Sequence, residues 1–322
     1  MNWEIILPIF LTLAGLVLII FGADGLVEGA SGIARRFGLS EFIIGLTIVG
    51  MGTSAPEMVV SFIGAFEGNA DVAIGNVAGS NIMNSLLIMG LTALILPMAI
   101  TPTNRKVDIR INIVVTMLLI LLGLKHTLVG LGEDGLTRWD GGILLVAFFS
   151  YMFLSIKGNK LDGEEESTTK PRNIWLNVLF VVVGLGALVL GGTLFVDNAT
   201  LLAKSMGVSD KFIAITILAG GTSMPELATC VTAAIKKKGQ LALGNIIGSN
   251  IFNILLILGG SALIHPLSFN HITGVDLGVL LVSAFAFLTA DYVGKKREID
   301  RLDGALFLFV WMAYMAYLII NL

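Results

Sequence analysis

Gly52-Thr53-Ser54-Ala55-Pro56-Glu57 recurs as Gly221-Thr222-Ser223-Met224-Pro225-Glu226. The repeat extends well beyond this hexad. Gly22 to Pro97 aligns without a gap on Gly191 to Pro266 at a register of 169 residues, with 31 of 76 positions identical. Self-similarity over such a length marks a duplicated fold. Each copy sets a carboxylate and a helix-breaking proline inside strongly apolar sequence. An ionisable residue there is costly unless it is used, and broken helices at membrane depth are where transporters bind ions.

Composition agrees with a membrane location. Hydrophobic residues make up 56% of the chain and charged residues 13%, whereas ordinary globular chains carry about 25% charged residues. The 38 glycines suit closely packed membrane helices. A single cysteine, Cys230, excludes an intrachain disulfide and a cysteine-rich metal site and reads as a small core filler. His126, His265 and His271 fall near span ends without ligand spacing, and no role is assigned to them. Ile5 to Ile20 lacks a basic flank and a clean cleavage site, so it reads as a span and not as a leader.

Apolar runs of about 20 residues cross a bilayer. On that basis the sequence predicts an all-α polytopic membrane protein of ten transmembrane helices. Spans fall near 5–33, 42–66, 72–98, 109–124 and 141–156, then 174–202, 212–235, 241–264, 275–290 and 302–320. Residues 1–157 form a first five-helix repeat, 158–172 a polar linker and 173–322 a second repeat. Five is odd, so the second repeat enters the membrane from the opposite face, an inverted topology with broken second and seventh helices. The positive-inside rule tests this. One set of loops carries 16 Lys and Arg, among them Arg35, Arg105, Lys160, Lys236 and Lys295; the other set carries only Lys125, Arg138, Lys204 and Lys211. The first set, linker included, is expected in the cytoplasm, and both termini outside.

Pro56 lacks an amide donor and clashes with the preceding turn. The carbonyls of Gly50, Met51, Gly52 and Thr53 are therefore expected to lose regular partners, and a cation can replace those partners. Thr53 and Ser54 add hydroxyls and Glu57 a charge; Thr222, Ser223 and Glu226 repeat the set. All are hard oxygen ligands, suited to Ca²⁺ and Na⁺. A second duplicated element, Gly75-Asn76-Val77-Ala78-Gly79-Ser80-Asn81-Ile82-Met83-Asn84, returns as Gly244 to Asn253. Ser80 and Asn84 share a helix face, so Ser80, Asn84, Ser249 and Asn253 are expected to line the cavity. Asn76, Asn81, Asn245 and Asn250 are expected to bond between helices. Asp24 and Glu28 read as snorkelling near Arg35, and Asp197 near Lys204. Glu67, Asp71, Glu133 and Asp134 read as solvated loop charge. No nucleotide-binding loop or protease motif is present, so the chain reads as a transporter without cofactor and not as an enzyme; the bilayer is its expected surrounding, with no nucleic acid or obligatory protein partner.

With both elements in hand, the chain resembles the sodium/calcium exchangers of the calcium/cation antiporter superfamily, above all the compact prokaryotic members. The resemblance covers nearly the whole chain. It implies alternating-access exchange of Na⁺ for Ca²⁺ across the plasma (inner) membrane. Glu57 and Glu226 would hold Ca²⁺ with the carbonyls of Thr53 and Thr222. Na⁺ would use the same glutamates with Thr53, Ser54 and Ser80 on one flank and Thr222, Ser223 and Ser249 on the other. The carbonyls of Gly50 and Ala219 would add further ligands, and Asn84 and Asn253 would line the centre. Proton-coupled relatives carry a Gly-Asn-x-x-Glu type motif where this chain has Gly-Thr-Ser-x-Pro-Glu. Potassium-dependent relatives carry Asp where this chain has Asn253. Both departures favour sodium as the coupling ion over the alternative, a proton- or potassium-coupled divalent cation antiporter.

Overall fold

The structure, a computed structural model, describes residues 3–130, 132–158, 173–206, 219–269, 272–288 and 297–321. Most of the linker, the start of the predicted seventh span, His271, Lys211, Lys295 and Lys296 lie outside the described residues. The described residues are helical almost throughout. Helix α1 is Trp3–Phe37. It is followed by α2 (Glu41–Thr53), α3 (Ala55–Phe66) and α4 (Ala70–Ile95). Helix α5 covers residues 104–123, α6 is Lys125–Val129 and α7 is Arg138–Gly158. The second half has α8 (Ile174–Ser205), α9 (Ala219–Gly221), α10 (Met224–Ile235), α11 (Gly239–Ile264), α12 (Gly274–Ala286) and α13 (Arg301–Ile320).

Among the described residues, residues 6–37 of α1 together with α4, α8, α11 and α13 are each long and apolar enough to cross a membrane, and the bent pair α2–α3 makes a sixth crossing. Helices α10 and α12 are apolar but shorter. Helix α5 starts five residues before the expected fourth span, because a π-helical turn at Asn104–Asp108 carries its charged entry.

The two halves interlock through backbone contacts that only glycine permits. A Cβ on Gly15 would sit 2.7 Å from the Gly191 carbonyl oxygen, and one on Gly22 would sit 2.8 Å from that of Gly184. Gly15 and Gly184 are repeat equivalents, as are Gly22 and Gly191. The contact pairs run in opposite senses along the chain, so α1 and α8 pack antiparallel. Short ribbons exchange between halves in the same way. Met98–Ala99 (β1) pairs antiparallel with Glu298–Ile299 (β4), and Gly135–Leu136 (β2) with Leu267–Ser268 (β3). Two tyrosines tie neighbouring helices: Tyr151 donates to Asp108 at 2.9 Å, linking α7 to α5, and Tyr314 to Asp276 at 2.7 Å, linking α13 to α12.

Burial separates a buried centre from an outward-facing pair. In their apolar 18-residue stretches, α11 is 94% buried and α1 and α8 are each 28% buried. They present Phe10, Leu13, Phe21, Leu179, Val182 and Leu190 outward. One expectation is corrected here. Asp24 and Glu28 pair with Lys236 of the other half, at 2.6 Å and 3.5 Å; the helix end that reaches them is that of α10. The expectation for Asp134 holds in a specific form. It accepts from the amides of His126 and Thr127 and from the Thr127 hydroxyl, and those bonds, the hydroxyl's first, hold its carboxyl below the usual range.

Candidate functional site

The break in the second span falls at Ser54, with φ −80° and ψ 7°, and the axis bends by 47° between α2 and α3. Pro56 lies in the first turn of α3, where its missing N–H costs nothing and its fixed φ suits a helix start. Glu57 follows in the same turn, where a negative charge is favoured by the helix dipole. Pro225 and Glu226 open α10 in the same manner after Ser223. What the sequence shows as a kink is therefore the start of a second helix that presents a carboxylate.

The two breaks face each other and exchange hydrogen bonds. Ser54 donates to Glu226 Oε1 at 2.9 Å, and Ser223 to Glu57 Oε1 at 3.0 Å. Ser80 on α4 lies 3.3 Å from the same Glu57 oxygen and 3.1 Å from the Ser223 hydroxyl. Both glutamates are 0% exposed, and among the described residues neither has a cationic partner. Each holds one oxygen in a crossed serine bond. The other oxygen of each, Oε2, is buried without a hydrogen-bond partner, as are Asn84 Oδ1 and Asn253 Oδ1. A buried polar atom without a partner costs free energy, and four such oxygens suit a hard cation. Among the described residues no group of three or more His, Cys, Asp or Glu is gathered anywhere. What the two facing breaks offer is two carboxylates with neutral oxygens around them.

The remaining expected residues are mostly brought to the same place. Thr53 lies 3.1 Å from the Val49 carbonyl and 3.2 Å from Asn245 Oδ1. Its equivalent, Thr222, donates to Asn76 Oδ1 at 3.3 Å. Asn76 in turn donates to the Glu57 carbonyl and to Ser61, each at 3.0 Å. Asn81 donates to the Asn250 carbonyl at 3.0 Å, and Asn253 to Asn81 Oδ1 at 3.0 Å. The four asparagines expected to bridge helices do so. Cys230 accepts from Asn245 at 3.1 Å and is buried, a packing role. Ala219 opens α9 at the edge of the described residues.

Gly50 departs from expectation. Its carbonyl is not freed by the break: it accepts from the Ser54 amide at 3.1 Å and from the Ser249 hydroxyl at 3.3 Å. Pro56 removes only its own amide, and the chain keeps its helical course to Ser54. Sequence reasoning also missed a symmetric detail. The last asparagine of each duplicated element lies in a π-helical turn: Asn84 in Met83–Ile88, and Asn253 at the start of Asn253–Leu258. Such turns widen a helix and are frequent at functional sites.

The family model for the sodium/calcium exchanger protein matches residues 7–157 and 176–320, one match per half. The chain belongs to that exchanger family. The sodium/calcium exchanger MaX1 of Methanosarcina acetivorans is 32% identical over 339 residues, covering 95% of this chain and 97% of MaX1. The inner membrane protein YrbG of Escherichia coli is 34% identical over 288 residues, 86% of each chain. Among solved structures, the sodium-calcium exchanger NCX_Mj superposes with a TM-score of 0.84 at 32% identity, over 98% of this chain and 99% of that one. The exchanger family model spans both crossed motifs, so the site described above lies wholly within the matched segments. The chain is a compact prokaryotic-type member and a multi-pass integral membrane protein.

Proposed function

We propose that this chain exchanges Na⁺ for Ca²⁺ by alternating access, the two ions competing for one site built on Glu57 and Glu226. The observation that carries the proposal is the crossed pair of fully buried carboxylates, each held through one oxygen by the other half's serine. Two carboxylates carry a charge of −2 when ionised. One Ca²⁺ neutralises it, or Na⁺ does so with the help of Thr53, Ser54, Ser80 and their equivalents Thr222, Ser223 and Ser249. Shared oxygens forbid joint occupancy, because like charges at close range repel by many kcal/mol in a low-dielectric interior. A bare charged cavity is costly to occlude. Exchange follows if the protein changes its opening only when the site is compensated. Membership of the exchanger family and the likeness to NCX_Mj support this reading.

The direct test is ⁴⁵Ca uptake into sodium-loaded proteoliposomes, with and without an outward Na⁺ gradient, and with all K⁺ replaced by choline. Uptake should need the Na⁺ gradient. It should survive loss of K⁺, because Asn253 offers an amide where potassium-dependent relatives offer a carboxylate. Uptake without Na⁺ would point to proton coupling or a channel, and loss of uptake in choline would overturn the inference from Asn253.

The same proposal includes the architecture. Ten spans form inverted five-helix repeats, 1–157 and 173–322, joined by the cytoplasmic linker 158–172, with both termini outside the inner membrane. The antiparallel packing of α1 on α8 supports it. Cysteines placed at Glu165 and at Leu322 should label from opposite sides of intact cells. Labelling of both from one side would sink the inverted arrangement.

A further inference from the structure

Repeat symmetry unites the ion site but breaks down at its two approaches. Between α3 and α8 lies a cavity of about 550 Å³, lined by Pro56, Val60, Thr193, Val196, Asp197 and Thr222 among others. It reaches the second break at Thr222. At the 169-residue register the equivalents of Thr193, Val196 and Asp197 are Asp24, Val27 and Glu28 on α1. There the approach is filled: α1 packs directly on α10 and Val27 is fully buried. At the C-terminal end of α10, Lys236 places its Nζ 2.6 Å from Asp24 Oδ1 and 3.5 Å from Glu28 Oε1. The same ammonium donates to the Asp24 carbonyl oxygen at 3.5 Å.

The equivalent of Lys236 is Glu67, which follows α3. The outer trio of Glu67, Thr193 and Asp197 thus has two carboxylates and a hydroxyl where the inner trio has an ammonium and two carboxylates. By charge alone, one trio attracts across the approach and the other repels. Resting on the alternating-access reading above, we propose that Lys236 is a positioning residue for the exchange cycle. Bonded to Asp24 and Glu28, it latches α1 onto α10 and holds the cytoplasmic approach shut, and among the described residues the outer approach has no such latch. The contact requires α1 to lie against α10, so its strength enters the balance between open and closed forms directly. Both carboxylates are partly exposed, which limits an ion pair of this kind to a shift of roughly two- to five-fold. A weak latch suits a transporter, because a strong one would trap one state.

The experiment uses the full-length protein in sealed vesicles with a membrane-impermeant maleimide. Val27→Cys reports the cytoplasmic approach and Val196→Cys the outer one. The parent, whose sole thiol is the buried Cys230, gives the background. Lys236→Gln should speed labelling at Val27→Cys from the cytoplasmic side by about two- to five-fold. Asp24→Asn should act in the same direction, and Lys236→Arg should restore the slow rate. Moving the latch outward with Glu67→Lys and Thr193→Asp together should slow labelling at Val196→Cys by a similar factor. Equal rates for Lys236→Gln, Asp24→Asn and Lys236→Arg, with no effect of the outward transfer, would overturn the latch. ⁴⁵Ca uptake by the parent in the same vesicles judges the exchange reading separately, because the labelling ratios do not depend on it.

Discussion

Glu57→Gln and Glu226→Gln should each abolish exchange and weaken Ca²⁺ binding by about 100-fold, and the two should fail alike. Glutamine keeps the size and one carbonyl oxygen, so the variants isolate charge. Each glutamate is fully buried, with one oxygen bonded to the partner motif's serine and the other free of protein partners. Ca²⁺ affinity rises with ligand charge. Unit charges 4 Å apart attract by about 4 kcal/mol at an effective dielectric near 20, and a divalent ion roughly doubles that. A third of this, left after desolvation is subtracted, matches the ~2.7 kcal/mol that corresponds to 100-fold. Na⁺ needs less charge per ion, so some Na⁺ binding survives. Glu67→Gln, at an exposed position after α3, leaves Ca²⁺ binding unchanged. Calorimetric Ca²⁺ titration of folded protein, with vesicle flux beside it, is the check. A Gln variant that bound and exchanged Ca²⁺ like the parent would place the site elsewhere.

Gly248→Ala should destabilise the protein and remove exchange, although it adds a single methyl group. Helices α2 and α11 touch backbone to backbone. A Cβ on Gly248 would lie 2.4 Å from the Leu46 carbonyl oxygen and 2.6 Å from Leu46 Cα, and one on Gly244 would lie 2.2 Å from the Phe42 carbonyl oxygen. Neither neighbour is the end of a flexible side chain, so α2 itself must shift. Overpacking a close-packed interior costs roughly 1–3 kcal/mol. The shift also separates Ser249 from the Gly50 carbonyl and Asn245 from Thr53, contacts of 3.3 Å and 3.2 Å that join α11 to the first break. Gly186→Ala is the matched control, since no atom lies within 4 Å of the added carbon. Thermal unfolding in detergent and ⁴⁵Ca flux should fall for Gly248→Ala and stay at parent values for Gly186→Ala. Equal behaviour of the two would show that the α2–α11 contact tolerates separation.

Much of the site was legible because it is written twice. The equivalence of Glu57 with Glu226, and of Ser54 with Ser223, follows from aligning the chain on itself. The helical spacing of Ser80 and Asn84 puts both on one face, and the structure brings Ser80 to Glu57. Other features had no such signal. The two-residue strands are too short for any periodicity to show. The Asp108–Tyr151 and Asp276–Tyr314 bonds join residues far apart in sequence, and their spacing differs between the halves. Lys236 sits in a run of three lysines that reads as a solvated loop, and only its contact with α1 singles it out.

Sequence by itself determined the duplication, the membrane setting, the two breaks and the types of ligand atom offered. These follow from local chemistry: proline lacks a donor, apolar runs avoid water, and carboxylates at membrane depth need a use. Tertiary structure alone decided which oxygens are engaged and which are free. The Gly50 carbonyl kept its partners because a proline removes only its own amide. The serines crossed to the opposite glutamate because the two halves meet face to face through glycine contacts. The two approaches differ because packing placed α1 against α10 at one end and left a cavity between α3 and α8 at the other. Such outcomes depend on distances between segments 166 to 212 residues apart, and no local pattern encodes those distances.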